Sequence, residues 1–261
     1  MSRAVIFDLD DTLIVEEAVA RESLRRAARL LPGHDGDEVV EVVLRTARRL
    51  WRSGPHIGLC ADLGIASWEG LWSSFEGGHP VLEELRRWVP GYRAQAWRDA
   101  VAALAVDDPG LADDPGRADA LAEAYVSSQR TGHRLIPGAV EAVTALGRRG
   151  PVGLLTNGPP DIQRVKISGC GLEGLFGAVV ISGELGRGKP DASAFAAVLE
   201  LLGAGPDGAV MVGDSWERDV LGAVQAGLVA VWVSGGRPLP ETPPPGVGVV
   251  TTVAEVPDLL S

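Results

Sequence analysis

The sequence predicts an α/β protein in which a doubly wound parallel β-sheet carries an inserted helical domain. Five short, continuously apolar runs have the composition of strands that are buried on both faces, as the strands of a parallel sheet are. Helix-like segments alternate with these runs, which is typical of doubly wound folds. One long interval without strand patterns interrupts the alternation. The strand-like runs are Ala4–Leu9, Val152–Thr156, Ala178–Ser182, Ala209–Val212 and Val229–Val233.

Apolar spacing and end signals mark the helices that alternate with these strands. In the segment after the third strand, Asp191 is suited to cap the N-terminus and Gly203 is suited to end the helix. A loop rich in Pro and Gly, Gly235–Gly246, precedes a final strand-like segment at Val247–Thr251 and a short terminal helix. The four predicted helices are Gly138–Arg149, Pro160–Gly169, Asp191–Leu202 and Trp216–Ala226.

The interval between the first and second strands shows helical periodicity and no strand pattern. Its Asp-Pro-Gly repeats predict a loop at Asp107–Gly116. We therefore predict a Rossmann-like core formed by residues 1–14 and 135–261, and a helical domain at residues 15–134, which we call the insertion. Apolar residues at helical spacing occur in Val39–Trp51, Leu82–Trp88, Ala94–Leu104 and Ala118–Val126.

Composition excludes several classes of function. A formal net charge of −11 and dispersed basic residues argue against binding to nucleic acid polymers. No stretch approaches the roughly 20 apolar residues that cross a bilayer, and no secretory signal is recognisable at the N-terminus. We therefore expect a cytoplasmic protein without a membrane partner. No heptad seam indicates an assembly, so both a monomer and a homodimer remain open.

Cysteine and histidine chemistry is not expected. Cys60 and Cys170 lie far apart without metal-ligand spacing, which suits small apolar fillers in a reducing compartment. The histidines are equally scattered, so we interpret them as surface or loop residues rather than catalytic or zinc-binding groups. They are His34, His56, His79 and His133.

The first strand runs directly into the segment Asp8-Leu9-Asp10-Asp11-Thr12. Alternation along an extended chain places Asp8 and Asp10 on the same side, at the carboxyl end of a buried strand. Ligands bind at that edge in open α/β sheets. Taken alone, the segment is equally consistent with a helix cap and turn.

Three further elements follow other strands at the same edge. Thr156-Asn157-Gly158 offers a hydroxyl and backbone amides at a helix entrance, which suits phosphate oxygens. Lys189, one of only two lysines in the chain, precedes a helix and would place a point charge beside the carboxylates. Gly213-Asp214-Ser215 follows the fourth strand, and Asp219 lies one helical turn further on. Converging carboxylates repel each other unless a cation lies among them, and an all-oxygen site favours Mg²⁺.

These four elements resemble the four motifs of the haloacid dehalogenase-like (HAD) hydrolases, and they span the predicted core. Within that family the chain looks most similar to N-acylneuraminate-9-phosphatases and nucleotidase-like phosphatases. The resemblance implies a Rossmann-like HAD core, and it implies that the insertion is a cap that selects the substrate. It also implies a Mg²⁺-dependent phosphatase that acts on a small phosphorylated metabolite, such as a sugar phosphate or nucleoside monophosphate.

The resemblance further implies a role for each motif residue. Asp8 would attack phosphorus and form an aspartyl-phosphate, while Asp10 would protonate the leaving group and later deprotonate water. Mg²⁺ would be bound by Asp8, by Asp214 and by Asp10 through its backbone carbonyl. The predicted phosphate-binding residues are Thr156, Asn157 and Lys189, and the predicted supporting residues are Thr12, Ser215 and Asp219.

Two other functions remain open. Sugar-phosphate mutases of this cap type typically use a cap lysine, and no lysine occurs before Lys166, although an arginine such as Arg93 or Arg98 could bind a second phosphate. A catalytically retired HAD fold would act as a binding module, and the intact Asp8 and Asp10 argue against it. Haloacid dehalogenases lack the second acidic residue of the first motif, so Asp10 argues against that activity.

Residues outside the motifs receive simpler interpretations. Arg164 and Lys166, on the helix after Thr156, are interpreted as solvated charges. Trp216 is expected to pack near the active-site edge. The tryptophans of the insertion lie mostly at core spacing, so packing is expected for most of them. They are Trp51, Trp68, Trp72, Trp88 and Trp97.

Overall fold

The computed structural model describes residues 3–106, 108, 110–111 and 114–261. Four residues of the loop predicted at Asp107–Gly116 therefore lie outside the described part of the chain. In the described part, six parallel strands form one sheet in the order β3-β2-β1-β4-β5-β6, as predicted for the fold class. The strands are β1 (Val5–Phe7), β2 (Val152–Thr156), β3 (Ala178–Ile181), β4 (Val210–Gly213), β5 (Val229–Val233) and β6 (Gly248–Val250).

The strand order reverses beside β1, and this reversal positions the site. From β1 the chain adds β2 and β3 on one side and β4, β5 and β6 on the other. Phe7 at the end of β1 lies opposite Leu154 of β2 and Val212 of β4. The three loops that follow these strands therefore meet at one edge, which is the topological switch point where α/β folds bind ligands.

Helices cover both faces of the sheet. Because successive strand residues point to opposite faces, Phe7 belongs to one apolar cluster and its neighbour Ile6 to another. The first cluster includes Val143 of α6, and the second includes Phe195 and Val198 of α9. The core helices are α6 (Ala139–Gly147), α7 (Pro160–Gly169), α8 (Ser182–Leu185), α9 (Ala192–Leu201), α10 (Gly222–Gln225) and α11 (Val256–Leu259).

The helix predicted at Trp216–Ala226 begins differently from an ordinary α-helix. Residues Trp216–Leu221 form a π-helical turn, and α10 continues from it. The Val220 N–H donates to the Ser215 carbonyl at 3.2 Å, which is the five-residue spacing of such a turn. The wide turn lies directly after β4 and therefore borders the predicted site.

Within the described ranges, five helices and a 3₁₀ turn (Glu69–Leu71) form the insertion, and their apolar side chains pack into one cluster together with Ile162 of α7. The segments predicted as Leu82–Trp88 and Ala94–Leu104 are one 23-residue helix that continues through Pro90. The cluster includes Trp51, Trp72 and Trp97, as expected for packing residues. The assignment of residues 15–134 to a separate domain stays a prediction. The helices are α1 (Glu17–Ala28), α2 (Gly36–Arg52), α3 (Ile57–Leu63), α4 (Leu82–Leu104) and α5 (Arg117–Thr131).

Across the described ranges, no helix combines the length and the apolar character needed to cross a membrane.

Candidate active site

Asp8 lies at the centre of the sheet edge, directly after β1. Its backbone N–H donates to the Val212 carbonyl of β4 at 2.9 Å, so the sheet fixes its position. The residue is 7% exposed. The Thr12 hydroxyl donates to Asp8 Oδ2 at 3.1 Å. A turn with Asp11 in the left-handed region (φ 55°) brings Thr12 back to this carboxylate.

Lys189 is buried beside Asp8 rather than solvated. Its Nζ lies 2.6 Å from Asp8 Oδ1 and 2.7 Å from Asp219 Oδ1. Asn157 holds the backbone of this lysine through two hydrogen bonds of 2.8 Å, one to the Lys189 carbonyl and one from the Lys189 N–H. The Asn157 side chain thus aligns two strand-end loops. Its predicted part in phosphate binding stays a prediction.

Three carboxylates, of Asp8, Asp214 and Asp219, form what we call the acidic cluster. One oxygen from each lies within 4.8 Å of the others. Burial is the main cause that raises the pKa of Asp8 well above its usual range, and Asp219 and Asp214 add to it against the opposing effect of Lys189. Burial, followed by Asp219, raises the pKa of Asp214 to about 7. An oxygen-only donor set whose members are costly to ionise together fits a hard divalent cation such as Mg²⁺.

The carboxylate of Asp10 contacts two donors from α7. Lys166 Nζ donates to Asp10 Oδ1 at 3.0 Å, and Gln163 Nε2 donates to Asp10 Oδ2 at 2.9 Å. The interpretation of Lys166 as a solvated charge is wrong, because its side chain is 0% exposed. Burial without partners would be prohibitive for an ammonium, and carboxylates from distant segments provide the partners. Arg164 is half exposed and pairs with Glu184, in agreement with its interpretation.

Glu16 and Glu69 complete the surroundings of Lys166. Glu16 Oε1 lies 3.0 Å from Lys166 Nζ and Glu69 Oε1 lies 3.8 Å from it. Burial raises the pKa of Glu16 to about 8 and the pKa of Glu69 to about 7, although Lys166 opposes both. Sequence reasoning missed Gln163, Glu16 and Glu69. The one available signal was that Lys166 is one of only two lysines, three residues after a glutamine on the helix that follows Thr156.

Thr156 and Ser215 lie at the same edge of the sheet, where Thr156 forms hydrogen bonds through its hydroxyl and Ser215 through its backbone N–H. The Thr156 Oγ1 accepts a hydrogen bond of 2.6 Å from Gln163 Nε2. The same hydroxyl donates to the Asn157 carbonyl over a longer distance of 3.5 Å. The Gly158 N–H donates to Ser182 Oγ at 2.9 Å, so that amide already has a partner. The Ser215 N–H donates to Asp219 Oδ2 at 2.9 Å and thereby fixes the orientation of that carboxylate.

A cavity of about 230 Å³ lies over this edge, between core and insertion. Its floor includes Asp8, Asp10 and Lys189. Other residues that line it are Arg218 of the π-helical turn and, from the insertion, Glu16, Gly64, Ala66, Trp68 and Glu69. No histidine or cysteine is among its lining residues in the described part of the chain. Trp216 packs against Trp232 as expected, with ring centroids 5.3 Å apart.

Comparisons with known proteins agree with this geometry. The family model of the haloacid dehalogenase-like hydrolases matches residues 2–227. A phosphoserine phosphatase from Thermus thermophilus is 38% identical over 242 residues, which cover 92% of this chain and 92% of that protein. An N-acylneuraminate-9-phosphatase from Rattus norvegicus is 33% identical over 268 residues, which cover 99% of this chain and 93% of that protein.

A solved structure shows the same fold. It is the crystal structure of the putative HAD-hydrolase YfnB from Bacillus subtilis, in which the protein is bound to magnesium. The two structures match with a TM-score of 0.67 at 19% identity, over 100% of this chain and 99% of that chain. The family match and the identity to the bacterial and mammalian relatives confirm the resemblance inferred from the four motifs. The chain therefore belongs to the haloacid dehalogenase-like hydrolases and is an enzyme of that family.

Proposed function

We propose that the protein is a Mg²⁺-dependent phosphomonoester hydrolase that acts on a small phosphorylated metabolite through an aspartyl-phosphate at Asp8. One observation carries the proposal. The Asp8 carboxylate is buried at the sheet edge within 2.6 Å of the Lys189 ammonium, and a second acid, Asp10, lines the same cavity. A nucleophilic carboxylate, a fixed cation and a separate acid are the groups that phosphoryl transfer from an ester requires.

In the first half-reaction an oxygen of Asp8 attacks phosphorus as the ester P–O bond breaks. The electron pair of that bond goes to the leaving oxygen, which takes a proton from Asp10 and departs as an alcohol. Lys189 and the Thr156 hydroxyl would stabilise the charge on the equatorial phosphate oxygens. Gln163 Nε2 donates to Thr156 Oγ1, so the hydroxyl keeps its own proton for donation. That proton is directed at the Asn157 carbonyl, 3.5 Å away, and would turn to a phosphate oxygen when an ester binds.

In the second half-reaction water attacks phosphorus of the aspartyl-phosphate, and Asp10 accepts its proton. The acyl phosphate bond breaks, so Asp8 returns to its carboxylate form and inorganic phosphate leaves. Asp10 is then protonated again and ready for another ester. One side chain therefore serves as acid and as base, and its position relative to Asp8 decides the rate of both steps.

The acidic cluster is the proposed Mg²⁺ site, with the Asp10 backbone carbonyl as the further ligand that the family resemblance implies. Asp8 and Asp214 would bind the ion, and Asp219, which contacts Lys189 and the Ser215 N–H, would support them. The ion would supply positive charge that screens the nucleophile from the negatively charged phosphate. The protein's own contribution is to hold the carboxylates together at the strand ends.

The cavity suits a small substrate. Its volume of about 230 Å³ lies below the range of about 300–1,000 Å³ that is typical of pockets for larger ligands. Beyond the phosphate position, Glu16 and Glu69 offer carboxylates and Arg218 offers a guanidinium. These groups would match the ammonium and carboxylate of an amino acid, so phosphoserine, named for the Thermus relative, is the first ester to test. Sugar phosphates and nucleoside monophosphates, the two classes that the sequence resemblance implied, are the next esters to test.

Phosphate release from a panel of these esters, with and without Mg²⁺, tests the proposal. Wild type is compared with Asp8→Asn and with Asp258→Asn, a matched change at an exposed aspartate near the C-terminus. We expect Mg²⁺-dependent release that falls by a factor of at least about 10³ in Asp8→Asn and is unchanged in Asp258→Asn. Phosphate release that persists in Asp8→Asn would refute the assignment of Asp8 as the nucleophile.

Absence of release from every ester would favour one of the two remaining functions. Isomerisation of a sugar phosphate in the presence of its bisphosphate would identify a mutase, whereas ligand binding without turnover would identify a binding module. In either case Asp8 would not be the site of a hydrolysed intermediate. A cytoplasmic location and a monomeric or homodimeric state stay predictions.

A further inference from the structure

We propose that Gln163 and Lys166 are positioning residues that hold the Asp10 carboxylate in the orientation needed for proton transfer to the leaving group. This inference rests on the proposed function, because it assumes that Asp10 is the acid. Neither residue belongs to the four motifs. Both lie on α7, three positions apart, and their side chains are on the same face of that helix, which is directed toward Asp10.

The two donors fix both oxygens of one carboxylate. Gln163 Nε2 lies 2.9 Å from Oδ2 and Lys166 Nζ lies 3.0 Å from Oδ1. Each carboxylate oxygen has two lone pairs, so one lone pair on each oxygen remains available for the transferred proton. Two bonds to two oxygens define the plane of the carboxylate, whereas a single bond would leave rotation about the Cβ–Cγ axis. The arrangement therefore restricts Asp10 without occupying the position of its proton.

The donors are themselves held rigidly. Gln163 is 0% exposed, and the two hydrogens of its Nε2 are shared among three acceptors, which are Asp10 Oδ2, Thr156 Oγ1 at 2.6 Å and the Asn157 carbonyl at 3.0 Å. Lys166 is equally buried and has Glu16 at 3.0 Å and Glu69 at 3.8 Å as further carboxylates. A side chain that is held by several buried hydrogen bonds also restricts the orientation of the group to which it donates. Gln163 thus links the acid to Thr156, one of the proposed phosphate-binding residues.

A series of esters with different leaving groups tests the proposal. An alkoxide needs a proton to depart and the 4-nitrophenolate does not, so loss of acid positioning should affect alkyl phosphates selectively. We expect Gln163→Leu to lower kcat/KM for the best alkyl phosphate by roughly 10- to 100-fold, a part of the 10²–10⁴-fold that general acid catalysis supplies. For 4-nitrophenyl phosphate we expect a change of less than about threefold.

A matched control and a second variant keep the outcome clear. Gln129→Leu removes another fully buried glutamine, on α5, that bonds to Tyr125 and not to Asp10, and it should leave the leaving-group dependence unchanged. Lys166→Met combined with Glu69→Gln removes the second donor together with one of the carboxylates that it neutralises. This double variant should show the same selective loss as Gln163→Leu.

The result also separates this inference from the proposed function. A selective loss in either variant, matching the direction seen in Asp10→Asn, supports the positioning role. An equal loss for all esters, or none, would overturn it, because a merely structural effect has no reason to follow the leaving group. If wild type releases no phosphate, the proposed function itself fails. If Asp10→Asn shows no dependence on the leaving group, Asp10 is not the acid and the inference falls with it.

Discussion

Replacing Glu69 with glutamine should make the protein more stable in neutral and alkaline solution. Glu69 lies on the 3₁₀ turn of the insertion, almost fully buried, with Lys166 of α7 at 3.8 Å and the Ala66 N–H at 2.7 Å. Burial is the largest cause that raises its pKa from 4.5 to about 7, ahead of the opposing effect of Lys166 and the reinforcing effect of Asp10. Glutamine keeps an acceptor for the Ala66 N–H and removes the charge.

The sign follows from the two protonation states. Between pH 4.5 and about 7 the unfolded chain has lost this proton and the folded protein retains it, so rising pH favours unfolding. The stability present below pH 4.5 is lost progressively until the pH exceeds about 7. At 1.36 kcal/mol for each pKa unit, the difference between 4.5 and about 7 corresponds to about 3 kcal/mol. Between pH 5 and pH 8 the loss should be roughly 2–3 kcal/mol.

Urea unfolding followed by tryptophan fluorescence measures this effect. The free energy of unfolding is determined for wild type and Glu69→Gln at pH 5 and pH 8, and the difference between the two proteins is compared across pH. Subtraction removes most of the contribution of Glu16, because burial is the largest cause of its raised pKa in both proteins and Glu69 is a smaller one. Glu200→Gln, at an exposed position of α9, is the matched control and should show no pH-dependent difference. An equal difference at both pH values for Glu69→Gln would refute the reasoning.

Three further predictions concern the sheet edge. Asn157→Ala removes two hydrogen bonds to the Lys189 backbone, so it should lower the free energy of unfolding by roughly 1–3 kcal/mol and also lower kcat. Calorimetry measures the first effect and phosphate release the second, and unchanged values of both would contradict the role of Asn157 in aligning the two loops. Gly213→Ala places a methyl group against the Asp219 carboxylate and should cost about 1–3 kcal/mol in urea unfolding, whereas Gly205→Ala, in open space, should not. Mg²⁺ at 100 times its dissociation constant should raise the free energy of unfolding by about 2.7 kcal/mol, and chelation should reverse this; no shift in melting temperature would argue against a metal site at the acidic cluster.

Local patterns in the chain were sufficient for most of the fold. Each continuously apolar run became a strand of the parallel sheet, because burial on both faces leaves a signature within a few residues. Their order also predicted that Asp8, Lys189 and Asp214 would meet, since loops that follow parallel strands share one edge. Helix ends were less certain. The helix α4 continues through Pro90, where the pattern predicted two segments, although proline removes one backbone N–H from the helix.

The sequence by itself therefore determined the fold class, the sheet edge and the motif residues of the candidate site. Only the tertiary structure decided what surrounds Asp10. Lys166 gave the local signature of a solvated helix residue, yet its partners Asp10, Glu16 and Glu69 come from segments distant in the chain. The physical reason is that periodicity records whether a position faces the core, whereas the charge that neutralises a buried ammonium depends on which segments the fold brings together.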